Sequence, residues 1–150
     1  MRRYQPNCLF YHNKQYAEVR WGGSESGTIP YPCFSSFPYH YSHAVGTQED
    51  RFYTLKHGDP DGKYWLPAMS DAPLRGYNGS HEWFWKPDDE AHIFPPENLM
   101  DMYYQSVGHN STLIMGLTPD SHGLLPEQDL AILSILYLPE FYLSLRLYMN

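Results

Sequence analysis

A helix, a buried strand and a second helix follow one another between Pro95 and Ala131, and this constrains the fold more than any other feature. Pro95-Pro96-Glu97 opens the first helix, because proline fits the first turn and an acid suits its positive end. Leu99, Tyr103 and Val107 repeat at helical spacing, and Gly108 supplies a stop. Ser111 to Leu117 is apolar enough for a buried strand, ended by Thr118-Pro119-Asp120. Pro126-Glu127-Gln128-Asp129 opens the second helix.

The first half is harder to read. Cys8 to Tyr11 is a short apolar run and predicts a buried strand, as part of a parallel sheet. Glu18-Val19-Arg20-Trp21 leads into a glycine-rich loop, Gly22 to Gly27. Residues 28–50 hold Pro30, Pro32 and Pro38 among aromatics and serines, which predicts an irregular packed loop. His57 to Lys63 is a turn cluster, Tyr64-Trp65-Leu66 a short strand, and Pro67 to Ser80 reads as loop. His81 to Trp85 is an aromatic cluster, either strand or packed loop.

Composition narrows the function. A chain of 150 residues can fill one domain. A complete (β/α)8 barrel usually needs about 250. Net charge is −7 with no basic stripe, which argues against nucleic acid. Ile132 to Leu138 is apolar but too short for a membrane span. Met1-Arg2-Arg3 is not followed by the apolar core of a signal peptide. Cys8 and Cys33 predict buried free thiols. His40, His43, His81 and His92 lack the spacing of a zinc site. No Gly-x-Ser-x-Gly elbow supports a serine hydrolase. Fourteen Tyr, seven Phe and four Trp supply surfaces for a sugar ring, although core packing accounts for most aromatics.

Glu25 carries the chemistry. A carboxyl group on a glycine-rich loop, just after Trp21, is a candidate proton donor, because an aromatic wall can desolvate it and raise its pKa. The competing reading is a solvated loop glutamate.

Arg20-Trp21-Gly22-Gly23-Ser24-Glu25-Ser26-Gly27 resembles the acid/base loop of the α-L-fucosidases of glycoside hydrolase family 29, which has the form Trp-x-Gly-Asn-Glu-x-Gly. Met102 to Asn110, Leu113 to Asp120 and Gly123 to Glu127 resemble the last helix-strand-helix passage of the same catalytic domain. The likeness covers about residues 4–131 and keeps its order.

It implies an incomplete barrel, the C-terminal part of a (β/α)8 TIM-type fold over residues 1–131, followed by an atypical apolar tail over 132–150. It implies part of a retaining exo-α-L-fucosidase with Glu25 as acid/base. Trp21, Trp65, Asp71, Arg75, Trp83 and Trp85 are the implied substrate-binding residues. The loop pattern leans towards cleavage of α-1,3 or α-1,4 fucose. The partner implied is a fucosylated glycan, together with the missing part of the barrel or self-association. No cofactor or metal is implied, and the parent enzyme would be secreted, periplasmic or lysosomal.

The departures are specific. Ser24 stands where the family has asparagine, and Gly22 where it has a bulkier residue. Met69 stands where the segment Trp-x-Pro-x-Glu-x-Asp places a glutamate, so Asp71 or Glu82 would have to supply that contact. The family's nucleophile is an aspartate in a Trp-x-Asp-Gly context, which this sequence does not contain. The expectation is a chain inactive alone. The alternative is a non-catalytic glycan-binding or structural remnant.

Overall fold

The computed structural model describes residues 3–11, 17–22, 25–39, 48–79 and 83–136. Among the described residues five strands and three α-helices run in the order β1 Arg20–Trp21, β2 Ser36–Phe37, α1 Gln48–His57, β3 Tyr64–Trp65, β4 Ala68–Pro73, α2 Pro96–Ser106, β5 Ser111–Gly116 and α3 Glu127–Leu136. The main sheet has the order β1-β4-β5, with β1 and β4 parallel and Arg20 opposite Ala68. α1 lies between β1 and β4 in sequence, α2 between β4 and β5, and α3 follows β5. Strand and helix therefore alternate as an α/β fold requires. A second, antiparallel pair joins β2 to β3.

The central strand is the one that the sequence reading took for loop. Five of the six residues of β4 are buried, with only Asp71 half-exposed. A strand covered on both faces shows no alternation of apolar and polar residues. The sequence Ala-Met-Ser-Asp-Ala-Pro therefore gives no period to detect, and Pro73 can close the strand as its last residue. α1 was also not foreseen. Leu55 is its buried anchor, while Phe52 and Tyr53 face outwards, so no apolar stripe marks the helix.

Cys8 to Tyr11 corrects an expectation in the other direction. Leu9 and Tyr11 are exposed, and Tyr11 makes a single parallel bridge with Val19. The Phe10 carbonyl accepts from the Glu18 and Val19 amides. Cys8 is also exposed, whereas Cys33 is buried as expected.

The chain divides into two compact units, Met1–Ala72 with Met102–Ile114, and Pro73–Asp101 with Met115–Asn150. In the first unit Ala17, Phe37, Leu55 and Leu66 form one apolar cluster, and Ile29, Cys33 and Ala68 another. Arg20 is fully buried beside both. Its Nε donates to the Leu55 carbonyl at 2.8 Å and its Nη2 to the Phe34 carbonyl at 2.8 Å. Its Nη1 donates to the Leu66 carbonyl, its Nη2 also meets Cys33 Sγ, and the Phe37 ring lies 5.4 Å away. Burial pushes the Arg20 pKa down and the Cys33 thiol up.

In the second unit the fully buried Arg75 donates through Nη1 to Asp89 and through Nη2 to Asp129 at 2.5 Å. α3 runs without a break through Ala131, so the expected boundary between barrel and tail falls inside a helix. Residues 137–150 of that tail lie outside the described residues.

Candidate active site

The loop that bears Glu25 stands on β4 with both feet. At its start the Gly22 amide donates to the Met69 carbonyl at 2.8 Å. At its end the Gly27 amide donates to the Asp71 carbonyl at 2.9 Å. A side chain adds a third fastening: Trp21 Nε1 donates to Asp71 Oδ1 at 2.8 Å. Asp71 thus holds the loop with its main chain and the indole with its carboxylate.

Gly27 has φ +69°, and a Cβ there would lie 3.1 Å from Met102 and 3.2 Å from Ala72. Only glycine takes both that backbone and that space without strain. Downstream, the Ile29 amide donates to the Gln105 carbonyl, and His109 Nδ1 donates to the Ile29 carbonyl at 2.7 Å. A carbonyl only accepts, so this contact fixes the proton on Nδ1 and makes His109 an anchor of the loop's far side.

Glu25 itself is exposed between the two feet. That exposure does not match the desolvated carboxyl group expected from sequence, and the Trp21 N–H is turned to Asp71. Gly23 and Ser24 lie outside the described residues, as do His40, His43, His81 and Glu82.

Sequence reasoning missed Tyr11. Its phenol pKa is raised, first by burial and then by the negative charges of Asp71 and Glu25. The ring therefore sits in the field of both carboxylates. The available signal was position: Tyr11 closes the apolar run that was read as a strand. Replacing Glu25 by Gln should move the Tyr11 ionisation to lower pH, because one of the charges opposing phenolate formation is gone. A ¹³Cζ titration of the tyrosines in both proteins checks this. An unmoved Tyr11 curve would separate the two residues.

The other implied binding residues are placed differently. Trp65 sits on β3, opposite Ser36, and lines a half-open cleft with Ala17, Glu18, Tyr39, Lys63, Tyr64 and Leu66. None of these is a residue of the Glu25 loop. Arg75 corrects a second expectation. A guanidinium sealed from solvent and occupied by two carboxylates has no face for a sugar, and its work here is to hold Asp89 and Asp129.

Trp83 and Trp85 are half-buried in the second unit, with Phe84 exposed between them. Trp83 rests on Gly116, the last residue of β5: a Cβ there would fall 2.4 and 2.8 Å from two carbons of the indole six-membered ring. Gly116→Val should therefore expel the ring and red-shift tryptophan emission, with loss of about 1–3 kcal/mol from overpacking. Wild-type emission in the variant would show that the indole has no such seat.

No family model matches the chain. Alpha-L-fucosidase 1 of Arabidopsis thaliana is 32% identical over 129 residues, which cover 86% of this chain and 23% of the plant protein. A crystal structure of a Bacteroides thetaiotaomicron protein ascribed to the α-L-fucosidases aligns with TM-score 0.82 and 58% identity, over 88% of this chain and 31% of that one. A Ruminococcus gnavus fucosidase of glycoside hydrolase family 29, solved in complex with fucose, aligns with TM-score 0.64 and 28% identity, over 83% of this chain and 23% of that one. The chain spans less than a third of the length of each of these relatives. By sequence and by fold, its kinship is with the α-L-fucosidases, glycoside hydrolase family 29, over part of their length.

Proposed function

We propose that this chain forms the later strands and helices of the catalytic barrel of a retaining exo-α-L-fucosidase, and that Glu25 is its acid/base. The observation that carries the reading is the two-footed loop: the Gly22 and Gly27 amides fasten the chain on either side of Glu25 to β4. The loop leaves the C-terminal end of β1, and barrel enzymes build their sites at the C-terminal ends of parallel strands. The order β1-β4-β5, with a helix after each strand, is that of consecutive barrel units.

In this reading Glu25 protonates the glycosidic oxygen as the bond to fucose breaks. It then draws a proton from the water that releases the sugar. The attacking carboxylate, about 5 to 5.5 Å away in retaining enzymes, would come from outside these residues. Asp71 positions the loop and Trp21. A fucosylated glycan is the substrate, and an acid/base pair requires no cofactor for this chemistry.

Two assays test the reading. The chain alone should release no nitrophenol from 4-nitrophenyl α-L-fucoside, and turnover would overturn the split of the two carboxylates. Joined behind a barrel portion that carries the Trp-x-Asp-Gly strand, it should hydrolyse fucosylated glycans. There Glu25→Gln should lower the rate by about 10²-fold or more. A variant as active as its parent would remove Glu25 from the mechanism. The absence of Trp-x-Asp-Gly favours a second reading, a glycan-binding remnant, which predicts fucose binding but no hydrolysis in either setting.

A further inference from the structure

Tyr11, Trp21 and Asp71 stand on one face of the sheet, beside the loop that bears Glu25. Tyr11 bridges to Val19, two residues before Trp21, and Trp21 lies opposite Met69, two residues before Asp71. Paired residues of neighbouring strands share a face and side chains alternate along each strand, so all five belong to the same side. Arg20 belongs to the other side, where it donates to the Leu55 and Leu66 carbonyls. The bond from Trp21 Nε1 to Asp71 Oδ1 agrees with this placement. Tyr11 and Trp21 are diagonal neighbours, and such pairs, about 7–8 Å apart, are within reach of an aromatic side chain. A phenol placed there can extend along β1 towards its C-terminal end, where the Glu25 loop begins.

We propose that Tyr11 is a positioning residue for Glu25, its phenol O–H donating a hydrogen bond to the Glu25 carboxylate whenever that group has given up its proton. The inference rests on Glu25 being the acid/base. As the bond between fucose and the glycosidic oxygen breaks, its electron pair stays with the oxygen, which takes the Glu25 proton. The carboxylate left behind needs a donor, and a charged acceptor gains most from one. Tyr11 supplies it and keeps its own proton, so the phenol is unchanged over the cycle.

The charges around the ring favour that role. Burial first, then Asp71 on β4 and Glu25 on the loop, hold the phenol pKa above its ordinary value, so Tyr11 stays a donor. The carboxylate of Glu18, next to Val19, accepts from the Phe10 amide at 3.0 Å. The Phe10 carbonyl in turn accepts from the Glu18 and Val19 amides, which sets the main chain that carries Tyr11.

Two measurements test the proposal. The first uses the whole chain alone with ¹³Cζ-labelled tyrosine, and Tyr11→Phe identifies the Tyr11 signal. That signal should step as carboxyl groups ionise between about pH 3 and 6, and the step should shrink in Glu25→Gln. The absence of a step overturns the proposal. So does a step that Glu25→Gln leaves unchanged and Asp71→Asn removes, which gives the phenol to Asp71. The second uses the joined barrel. Tyr11→Phe should slow hydrolysis of a fucosylated glycan about 10- to 100-fold, the worth of a hydrogen bond to a charged group. 4-Nitrophenyl α-L-fucoside, whose leaving group departs without a proton, should keep nearly the parent rate. Equal slowing of both substrates would leave Tyr11 only a structural part, and an unslowed glycan would remove it from the reaction. A Glu25→Gln barrel as active as its parent sinks the acid/base reading itself, whereas the Tyr11 step in the chain alone reports the contact without any turnover.

Discussion

Arg75→Met should lower the stability of the fold by about 3–5 kcal/mol, the usual cost of removing one partner from a buried ion pair. The guanidinium is fully enclosed and holds Asp89 and Asp129 at once. Without it two buried carboxylates face each other with no cation between them. Small domains are stable by about 5–15 kcal/mol, so a loss of that size shows as a large drop in the urea midpoint at unchanged slope. The pH dependence gives a second reading. Burial raises the Asp129 pKa, Arg75 opposes that rise, and the charges of Asp89 and Glu90 add to it. Removing Arg75 strips away the opposing influence, so the folded variant binds protons at a pH where the unfolded chain has released them. The contribution of Asp129 to its stability is then greatest in acid and falls as pH rises towards neutrality, and the deficit against wild type widens in that direction. A midpoint like that of the wild type at neutral pH would show the network to be dispensable. Arg75→Met with Asp129→Leu should recover part of the loss, since an apolar pair can replace a buried ionic one.

Arg20→Lys should be nearly as damaging as Arg20→Met, at about 3 kcal/mol or more. The planar fork of Arg20 serves the carbonyls of Leu55, Leu66 and Phe34 from three separate nitrogens. A lysine has one nitrogen and cannot reach acceptors spread in that way. Each buried carbonyl left without a donor costs about 1–3 kcal/mol. Cys33 gives a readout beyond the melt. Its buried thiol contacts Arg20 Nη2, whereas Cys8 is exposed. In wild type one thiol should react quickly with a disulfide reagent and the other slowly. Either Arg20 variant should speed the slow one. Equal slow-phase rates in wild type and variants would show that Arg20 does not hold this core together.

Arg20 also shows where sequence reading stops. The residue was visible only as the first letter of a loop pattern, yet it joins three segments far apart in the chain. Three of its partners are backbone carbonyls, which leave no trace in side-chain identity. β4 escaped for a related reason, because a strand covered on both faces has no alternation to read. The later elements were legible in kind, since α2, β5 and α3 carry local signals: proline at the start, periodic apolar residues, and a turn after the strand; but β5, expected to be buried, buries only Ser111. α2 still turns a slightly different face inwards. Leu99, Met102 and Ser106 are buried, while Val107 is exposed, because the last turn tightens into a 3₁₀ helix that ends on Asn110 at φ +69°. At the candidate site, sequence pointed to Glu25 and to Asp71. It could not show that Asp71 serves the loop, that Trp65 belongs to another cleft, or that Arg75 is sealed in an ion pair.

Two of the three ties on the Glu25 loop end on carbonyl oxygens, and a carbonyl is the same in every amino acid. Met69 can therefore stand in place of an acid without loosening the loop's first foot. Only the indole of Trp21 depends on what residue 71 is. Substitution at position 69 can thus change the side chain that β4 carries there while the segment bearing Glu25 keeps its anchor.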